Sequence, residues 1–140
     1  MGYRQYVGMD LGTVNSCLAY SDEYGNVSVS ENKDGSTLLP SYIIFTKYGK
    51  LIGNDAVNNI DEYGSPDVVY HFKRLMGTNY TRTFKATQYT PTEMSALLIS
   101  KLLQMYTINT GQRADSIVIT TPGDFGDAEK NATIGAARIA

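Results

Sequence analysis

The sequence predicts an α/β fold built on a mixed β-sheet, and this prediction rests on the order of its elements. Short apolar stretches separated by turn residues crowd the start of the chain and predict an antiparallel β meander. Mixed short elements follow. A long helix beginning near Thr90, a short β-branched segment at Ser116–Thr120 and a last helix then complete the chain. Such an order is typical of a mixed sheet with helices packed on it.

The first part of the chain contains most of the predicted strands. Within the meander we predict strands at residues 7–10, 15–20 and 27–30, and the last of these alternates apolar and polar residues as a half-buried strand does. Gly25 suits the turn that precedes it. Beyond the meander we predict strands at 42–45 and 50–52, short helices at 55–60 and 68–76, a break at 64–67 and a weak strand at 78–86.

The long helix has a clear start signal. Thr90 can cap it, Pro91 suits its first position, and Glu93 completes a capping box. The apolar residues that then fall on one face, and so predict core packing, are Met94, Leu97, Leu98, Leu102 and Met105.

Two expectations concern the end of the chain. The β-branched composition of Ser116–Thr120 predicts a buried strand. Asp124 and Asp127 are both candidate N-caps for the last helix. That helical pattern still continues at Ala140, so we expect the chain to be part of a longer one.

Composition argues against several classes of protein. The 140 residues suit one domain, and with a net charge of −2 and no basic run longer than Lys73-Arg74 we expect no nucleic-acid partner. The absence of a long apolar run predicts no membrane partner. A single cysteine, Cys17, and a polar start without a signal-peptide pattern favour a reducing compartment, and we expect a cytoplasmic protein.

Asp10 is the first candidate functional residue. It ends a predicted strand, where a carboxylate is unfavourable, and Gly12 and Thr13 follow at once. The backbone N–H groups of Gly12, Thr13 and Val14 could hold phosphate, and Asp10 would then need Mg²⁺ between itself and the phosphate. On residue types alone, however, the favoured interpretation is an Asp that accepts hydrogen bonds from its own turn.

Lys73 and Arg74 are the second candidate. A cation on a short helix can contact a transferring phosphoryl group, although taken alone the pair is better explained as solvated surface charge. Neither a P-loop nor a dinucleotide-binding glycine motif occurs in the chain. One Cys and one His exclude a Cys/His metal site, and His71 has no nucleophile elbow near it, which disfavours a catalytic triad.

Ordered blocks of the chain resemble the amino-terminal part of the heat shock protein 70 chaperones, which belong to the actin-like ATPase superfamily. The blocks are residues 8–17, Pro40-Ser41 with Phe45-Thr46, Gly53 with Ala56, residues 72–77, and residues 117–122 with the segments that follow to 140. This resemblance implies an incomplete actin-like ATPase lobe, ribonuclease H-like, with a mixed β-sheet and flanking helices. It implies a core subdomain from about 1–38 and 112–140 and a peripheral subdomain from about 39–111.

The same resemblance implies roles for named residues. Asp10 would hold a hydrated Mg²⁺, and Lys73 would be the catalytic lysine near the γ-phosphate of ATP and the attacking water, with Arg74 beside it. Pro122 would lie at the switch that couples nucleotide state to a substrate domain, with the basic Lys130 nearby. The residues that would wrap the phosphates of ATP or ADP are Gly12, Thr13, Val14 and Asn15.

The resemblance also implies partners and a cellular role. The full-length parent would be a stress-response chaperone that hydrolyses ATP with Mg²⁺ to drive peptide binding and release during protein folding. Its partners would be unfolded peptides, a J-domain cochaperone and a nucleotide exchange factor. Because the chain would form only part of a two-lobed site, we expect the 140 residues alone to be nearly inactive as an ATPase.

The chain departs from the family pattern, and two other hypotheses remain open. Val14 stands where the family usually has Thr, and residues 123–126 are Gly-Asp-Phe-Gly where the family prefers Ala-Tyr-Phe-Asn. These departures motivate a non-catalytic binding or regulatory module derived from the chaperone fold. The other hypothesis is an actin-like assembly protein or sugar kinase, which should lack the Lys-Arg-Leu-Met-Gly run at 73–77.

Overall fold

The computed structural model of the chain describes residues 4–63, 68–84 and 86–140. Its larger sheet contains the predicted meander and one parallel strand. Strands β1, β2 and β3 follow one another antiparallel, and β10 pairs parallel with β1. The strands of this sheet are β1 (Tyr6–Leu11), β2 (Asn15–Ser21), β3 (Val27–Val29), β4 (Leu39–Pro40) and β10 (Ser116–Thr120). The predicted mixed α/β architecture is confirmed.

Two smaller sheets follow the meander in the chain. In the first, β5 pairs antiparallel with both β6 and β7, and two short helices pack beside it. The second is the hairpin of β8 and β9. These elements are β5 (Tyr42–Thr46), β6 (Gly49–Ile52), α1 (Asn54–Val57), α2 (Ile60–Tyr63), β7 (Val68–Tyr70), β8 (Arg82–Phe84) and β9 (Thr87–Tyr89).

The long helix α3 (Pro91–Thr110) covers the larger sheet and carries much of the core. Alternation along β1 buries Val7, Met9 and Leu11 on one face and exposes Gly8 and Asp10 on the other. The predicted apolar face of α3 is confirmed, with Leu97 half-buried and the rest of that face buried in the same core cluster. Each such side chain contributes about 1.5–3 kcal/mol by leaving water.

The start of α3 has the predicted capping box. The Thr90 Oγ1 accepts from the Glu93 N–H at 3.1 Å, and the Thr90 N–H donates to Glu93 Oε1 at 3.3 Å. The helix ends at Gly111, whose φ of 71° is left-handed. Among the described residues, no helix is both long and apolar enough to cross a membrane.

The helix predicted at residues 68–76 is wrong. Val68 and Val69 instead form β7, because their β-branched side chains are buried when the strand pairs with β5. His71 then adopts a left-handed conformation with φ 56°, which ends the strand. The following residues, Phe72–Leu75, form one turn of 3₁₀-helix, here called the Lys73 turn.

Other predictions need correction at the edges of the fold. Strand β10 was expected to be buried and β3 half-buried, but both lie at edges of the larger sheet, and Val118 and Val27 are exposed. The helix predicted at 55–60 divides into α1 and α2. The weak strand predicted at 78–86 is confirmed only over β8, which pairs with β9 in a hairpin. The predicted break at 64–67 lies outside the described residues.

The N-cap of the last helix, α4 (Asp127–Ile139), also differs from the prediction. Gly126 occupies the cap position, and no side-chain hydrogen bond caps the helix. Asp127 is instead the first helical residue, where its charge favours the helix dipole. Asp124 lies in the turn that precedes it.

Replacing Thr90 by Ala should lower the free energy of unfolding by about 1 kcal/mol, because the Glu93 N–H loses the Thr90 Oγ1 that accepts its hydrogen bond. Urea denaturation followed by circular dichroism measures the change. Thr107→Ala, on the exposed side of the same helix, is the control and should leave stability unchanged or slightly raised. Equal effects of the two substitutions would contradict the capping assignment.

Candidate functional site

Asp10 is the exposed carboxylate at the end of β1. The register of β1 with β10 places it opposite Thr120, whose Oγ1 donates to Asp10 Oδ1 at 2.9 Å. Among the described residues, no hydrogen bond engages its second oxygen, Oδ2. The threonine therefore orients the carboxylate and leaves one oxygen for a ligand.

The loop after β1, residues 12–15, makes a tight turn that requires glycine. A Cβ atom on Gly12 would overlap the backbone oxygen of Asn15. Any other residue would therefore force the turn open. Val14 lies at the surface of this loop with 51% of its area exposed.

Ser41, just after β4, holds the 12–15 loop from behind. Its N–H donates to the Val14 oxygen at 2.8 Å, and its Oγ donates to the Gly12 oxygen at 3.0 Å. A trans peptide directs each C=O opposite to the next N–H. The N–H groups of Thr13 and Asn15 therefore point away from Ser41. Within the described part of the chain, neither a turn nor a side chain accepts from the Thr13 N–H.

Lys73 is brought close to Asp10 by the Lys73 turn. Phe72 anchors this turn in the main core, and Lys73 itself is only 8% exposed. Burial lowers the pKa of the Lys73 ammonium below its ordinary value of 10.5, and the Asp10 carboxylate acts in the opposite direction by a smaller amount. The two charges thus interact although they are far apart in the sequence.

The lowered pKa of Lys73 has a consequence for stability. Because the unfolded chain binds the proton more tightly, the charged lysine costs stability at neutral pH. That cost is lost as the pH rises from the lowered pKa towards 10.5. A buried cation that costs stability fits a residue kept for function.

The chain after β10 completes the surroundings of Lys73. The Phe125 N–H donates to the Pro122 oxygen at 3.1 Å and closes a turn. This turn places the Phe125 ring centroid 5.7 Å from Lys73 Nζ, within cation–π range. The aromatic ring thus helps to hold the ammonium in place.

A glycine contact fixes the Lys73 turn against α4. Gly77 has a φ of 76°, and a Cβ there would lie 3.1 Å from the Ala128 carbonyl carbon and the Glu129 nitrogen. A side chain at this position would therefore require the α4 backbone to shift by a few tenths of an ångström and would also strain the left-handed backbone. The Ser95 Oγ also lies 3.3 Å from Met76 Sδ, which joins the same segment to α3.

A comparison with protein-family models gives a match to the family described as Hsp70 protein, over residues 6–88 and 81–140. The two overlapping matches include Asp10, the 12–15 loop, the Lys73 turn and α4. The chain belongs to the Hsp70 family. The family resemblance predicted from the sequence is confirmed, and it decides against an actin-like assembly protein or sugar kinase.

Membership in the Hsp70 family supports a chaperone function with ATP binding. It also implies the actin-like ATPase fold, of which the strands and helices themselves show a mixed α/β arrangement. Nucleotide and chaperone partners in general follow from membership in the same way. The roles of particular residues depend on the geometry described above.

The structure gathers only some of the residues that the sequence singled out in this Hsp70 chain. Asp10, the 12–15 loop, Lys73 and the Pro122 turn lie near one another, whereas Arg74 is exposed beside the buried Lys73. Lys130 lies elsewhere, in a cavity of about 660 Å³ between β10 and α4 that none of the other predicted site residues lines.

Three neighbours of the site were not predicted as site residues. Ser41 and Phe125 were noted only as parts of family blocks, and Thr120 only as part of such a block and as the end of a strand. Their roles depend on strand register and turn geometry. Only one local signal marked Ser41 as a neighbour of the site. Ser41 directly follows Pro40, the second residue of the two-residue strand β4.

Asp10 could give a hard cation one carboxylate ligand, and most of the cation's other ligands would then be water and phosphate oxygens. In residues 4–63, 68–84 and 86–140 no group of three or more His, Cys, Asp or Glu side chains could hold a metal by itself. The single oriented carboxylate of Asp10 fits Mg²⁺, which keeps several waters and takes phosphate oxygens with one or two carboxylates.

Replacing Ser41 by Ala should lower the free energy of unfolding by about 1 kcal/mol, because the part-buried Gly12 oxygen loses its donor. Chemical denaturation measures the loss, and the amide NMR signal of Thr13 should shift in the same variant. Ser100→Ala, on the exposed side of α3, is the control; it should leave the Thr13 signal in place and stability unchanged or slightly raised. An unshifted Thr13 signal would contradict the role of Ser41 in holding the loop.

Proposed function

We propose that this chain supplies the phosphate-binding wall of an Hsp70 ATPase. In this proposal Asp10 holds a hydrated Mg²⁺ and Lys73 contacts the γ-phosphate and the attacking water. The 12–15 loop, with Gly12, Thr13, Val14 and Asn15, wraps the β- and γ-phosphates of ATP or ADP. The observation that carries the proposal is the buried lysine held within charge range of an oriented carboxylate.

Phosphate chemistry explains why both charges belong in one site. A carboxylate repels phosphate unless a cation lies between them, and Mg²⁺ would supply that cation and neutralise charge on the nucleotide. Lys73 adds a positive charge on the protein side. Because Lys73 is already partly removed from water, its interaction with a phosphoryl group is stronger than that of an exposed lysine.

The protein's part in hydrolysis is then positioning and charge stabilisation. The Thr13 N–H, directed away from Ser41, donates to a phosphate oxygen, and the Lys73 ammonium donates to the γ-phosphate or orients the water that attacks it. The Phe125 ring, within cation–π range of the ammonium, helps to hold it in place. The proposed reaction is direct attack of water, without a covalent enzyme intermediate.

The proposal extends to the parent protein and its regulation. The turn between Pro122 and Phe125 contacts Lys73 through the aromatic ring. A change at the γ-phosphate that moves Lys73 would therefore also move the turn at Pro122. We propose that Pro122 and, further along, Lys130 pass this change to a peptide-binding domain. A J-domain cochaperone and a nucleotide exchange factor would act on the cytoplasmic parent, which binds unfolded peptides.

The subdomain division is part of the same proposal. Pairing of β10 with β1 supports a core subdomain from about 1–38 and 112–140. The separate sheets of β5–β7 and β8–β9 support a peripheral subdomain from about 39–111.

A ligand bound at the 12–15 loop would remain open to solvent on one side, since Asp10 is exposed. We therefore propose that the 140 residues alone bind nucleotide weakly.

The alternative is a non-catalytic binding or regulatory module. One observation favours it: the exposed side chain at Val14 has no hydroxyl to offer a phosphate or a metal-bound water. In this case the loop would keep its shape through Ser41, but the chain would not support hydrolysis even when the rest of the site is present.

Mg²⁺-ATP binding separates the two proposals. Calorimetry on a chain extended to a two-lobed domain should show tight binding that Asp10→Asn weakens by about tenfold or more, since the Mg²⁺ loses its carboxylate. The 140 residues alone should bind weakly and hydrolyse little ATP. Asp61→Asn, an exposed carboxylate on α2, is the matched control and should bind as the unmodified chain does.

Two results would decide against the ATPase proposal. Absence of binding by the extended chain would favour the non-catalytic module. Equal affinities of the Asp10→Asn chain and its control would show that Asp10 does not hold the metal.

A further inference from the structure

The two hairpins of the small sheets enclose a groove of about 750 Å³, here called the basic-aromatic groove. It lies between the β5–β6 hairpin and the β8–β9 hairpin. The residues used below are Phe45, Lys47, Tyr48, Lys50, Arg82 and Tyr89, with Phe84 in the floor. None of its lining residues belongs to the 12–15 loop or to the Lys73 turn.

Stacked aromatic rings form the floor of the groove and join the two hairpins. The Phe45 and Phe84 ring centroids lie 3.9 Å apart with their planes 15° from parallel. Tyr89 tilts against Phe45 at 4.7 Å. Because Phe45 belongs to β5 and the other two rings to the second hairpin, these contacts fix the groove's width.

Cations lie over the rings at the rim of the groove. The Lys47 Nζ is 4.9 Å from the Tyr48 ring centroid, and the Lys50 Nζ is 5.4 Å from that of Tyr89. The Arg82 guanidinium carbon is 5.1 Å from the Phe84 centroid. Cation–π contacts of this kind hold the charged groups in place.

The charge of the groove is opposite to that of the chain. Among the described residues that line it there is no Asp or Glu, although the whole chain has 14 acidic and 12 basic residues and a net charge of −2. A local concentration of lysine and arginine on an acidic protein favours an acidic partner at that place.

The aromatic geometry also favours carboxylates over nucleic-acid bases. Bases bind to free ring faces, but in the floor of the groove Phe84 contacts both Phe45 and Arg82, and the Lys50 ammonium lies over the Tyr89 ring. The ring edges carry partial positive charge and attract carboxylate oxygens. The net negative charge of the chain further opposes a long polyanion.

We propose that the basic-aromatic groove binds an extended acidic segment of a partner protein. Lys47 lies at a hairpin tip and Lys50 in β6, so carboxylates spaced along a peptide reach the two lysines separately. Tyr48, 83% exposed at the hairpin tip, supplies the large amphipathic contact surface typical of interface hot spots.

Fluorescence anisotropy with the 140-residue chain tests this proposal. The probe is a fluorescein-labelled peptide of alternating Glu and Gly, and the same peptide with Gln in place of Glu is its neutral control. The acidic probe should bind and the neutral one should not, and added salt should weaken binding. Failure of the acidic probe to bind would overturn the proposal, whatever the result for ATP.

Charge reversal locates the probe on the chain. Lys50→Glu should weaken binding by about tenfold, because an attractive rim charge becomes repulsive. Lys33→Glu makes the same change in net charge at an exposed site outside the groove and should change affinity by less than about twofold. Equal losses in the two variants would show non-specific attraction and overturn the proposal.

Two further measurements cover a Lys50→Glu variant that does not fold and distinguish an acidic peptide from nucleic acid. Tyr48→Ala removes an exposed ring without altering charge and should also weaken binding, so it replaces Lys50→Glu if the latter fails to fold. An unlabelled single-stranded oligothymidylate should not displace the probe. Displacement by the oligonucleotide at lower concentration than by unlabelled acidic peptide would assign the groove to nucleic acid instead.

Discussion

The parallel pairing of β1 with β10 is the constraint on which the candidate site depends. It joins the start of the chain to a segment more than a hundred residues later and sets Asp10 opposite Thr120. From that register the chain turns at Pro122 and brings Phe125 over Lys73. If the register shifted by one residue, Asp10 would face the core and the phosphate-binding surface would be lost.

Stability and function oppose each other at Lys73. Its turn is held by the burial of Phe72 and by the close approach of Gly77 to α4, so the core holds a cation that costs stability. The 12–15 loop is held in its conformation because Ser41 donates hydrogen bonds to two of its carbonyl oxygens. A partly dehydrated site whose groups are held in this way is preorganised to bind a charged ligand.

Local signals in the sequence were enough to predict the meander, the capping box of α3 and the Asp10 turn. They failed where tertiary contacts decide: Val68 and Val69 pair with β5 rather than forming a helix, and Val118 lies on an edge strand that looked like a buried one. Asp10 and Lys73 were candidates by residue type, but only the family resemblance favoured functional roles for them over structural or surface ones. Spacing alone could not show that they lie close together, because many residues separate them and their proximity depends on the β1–β10 pairing.

The central claim is that Asp10 and Lys73 form one electrostatic site, and a titration of Lys73 tests it most directly. NMR of the Lys73 side chain should give a pKa below 10.5 in the unmodified chain. In the Asp10→Asn chain the pKa should fall further, because the neighbouring negative charge that raises it is gone. A Lys73 pKa that does not respond to the substitution would contradict the account, since the two residues would then not share a site.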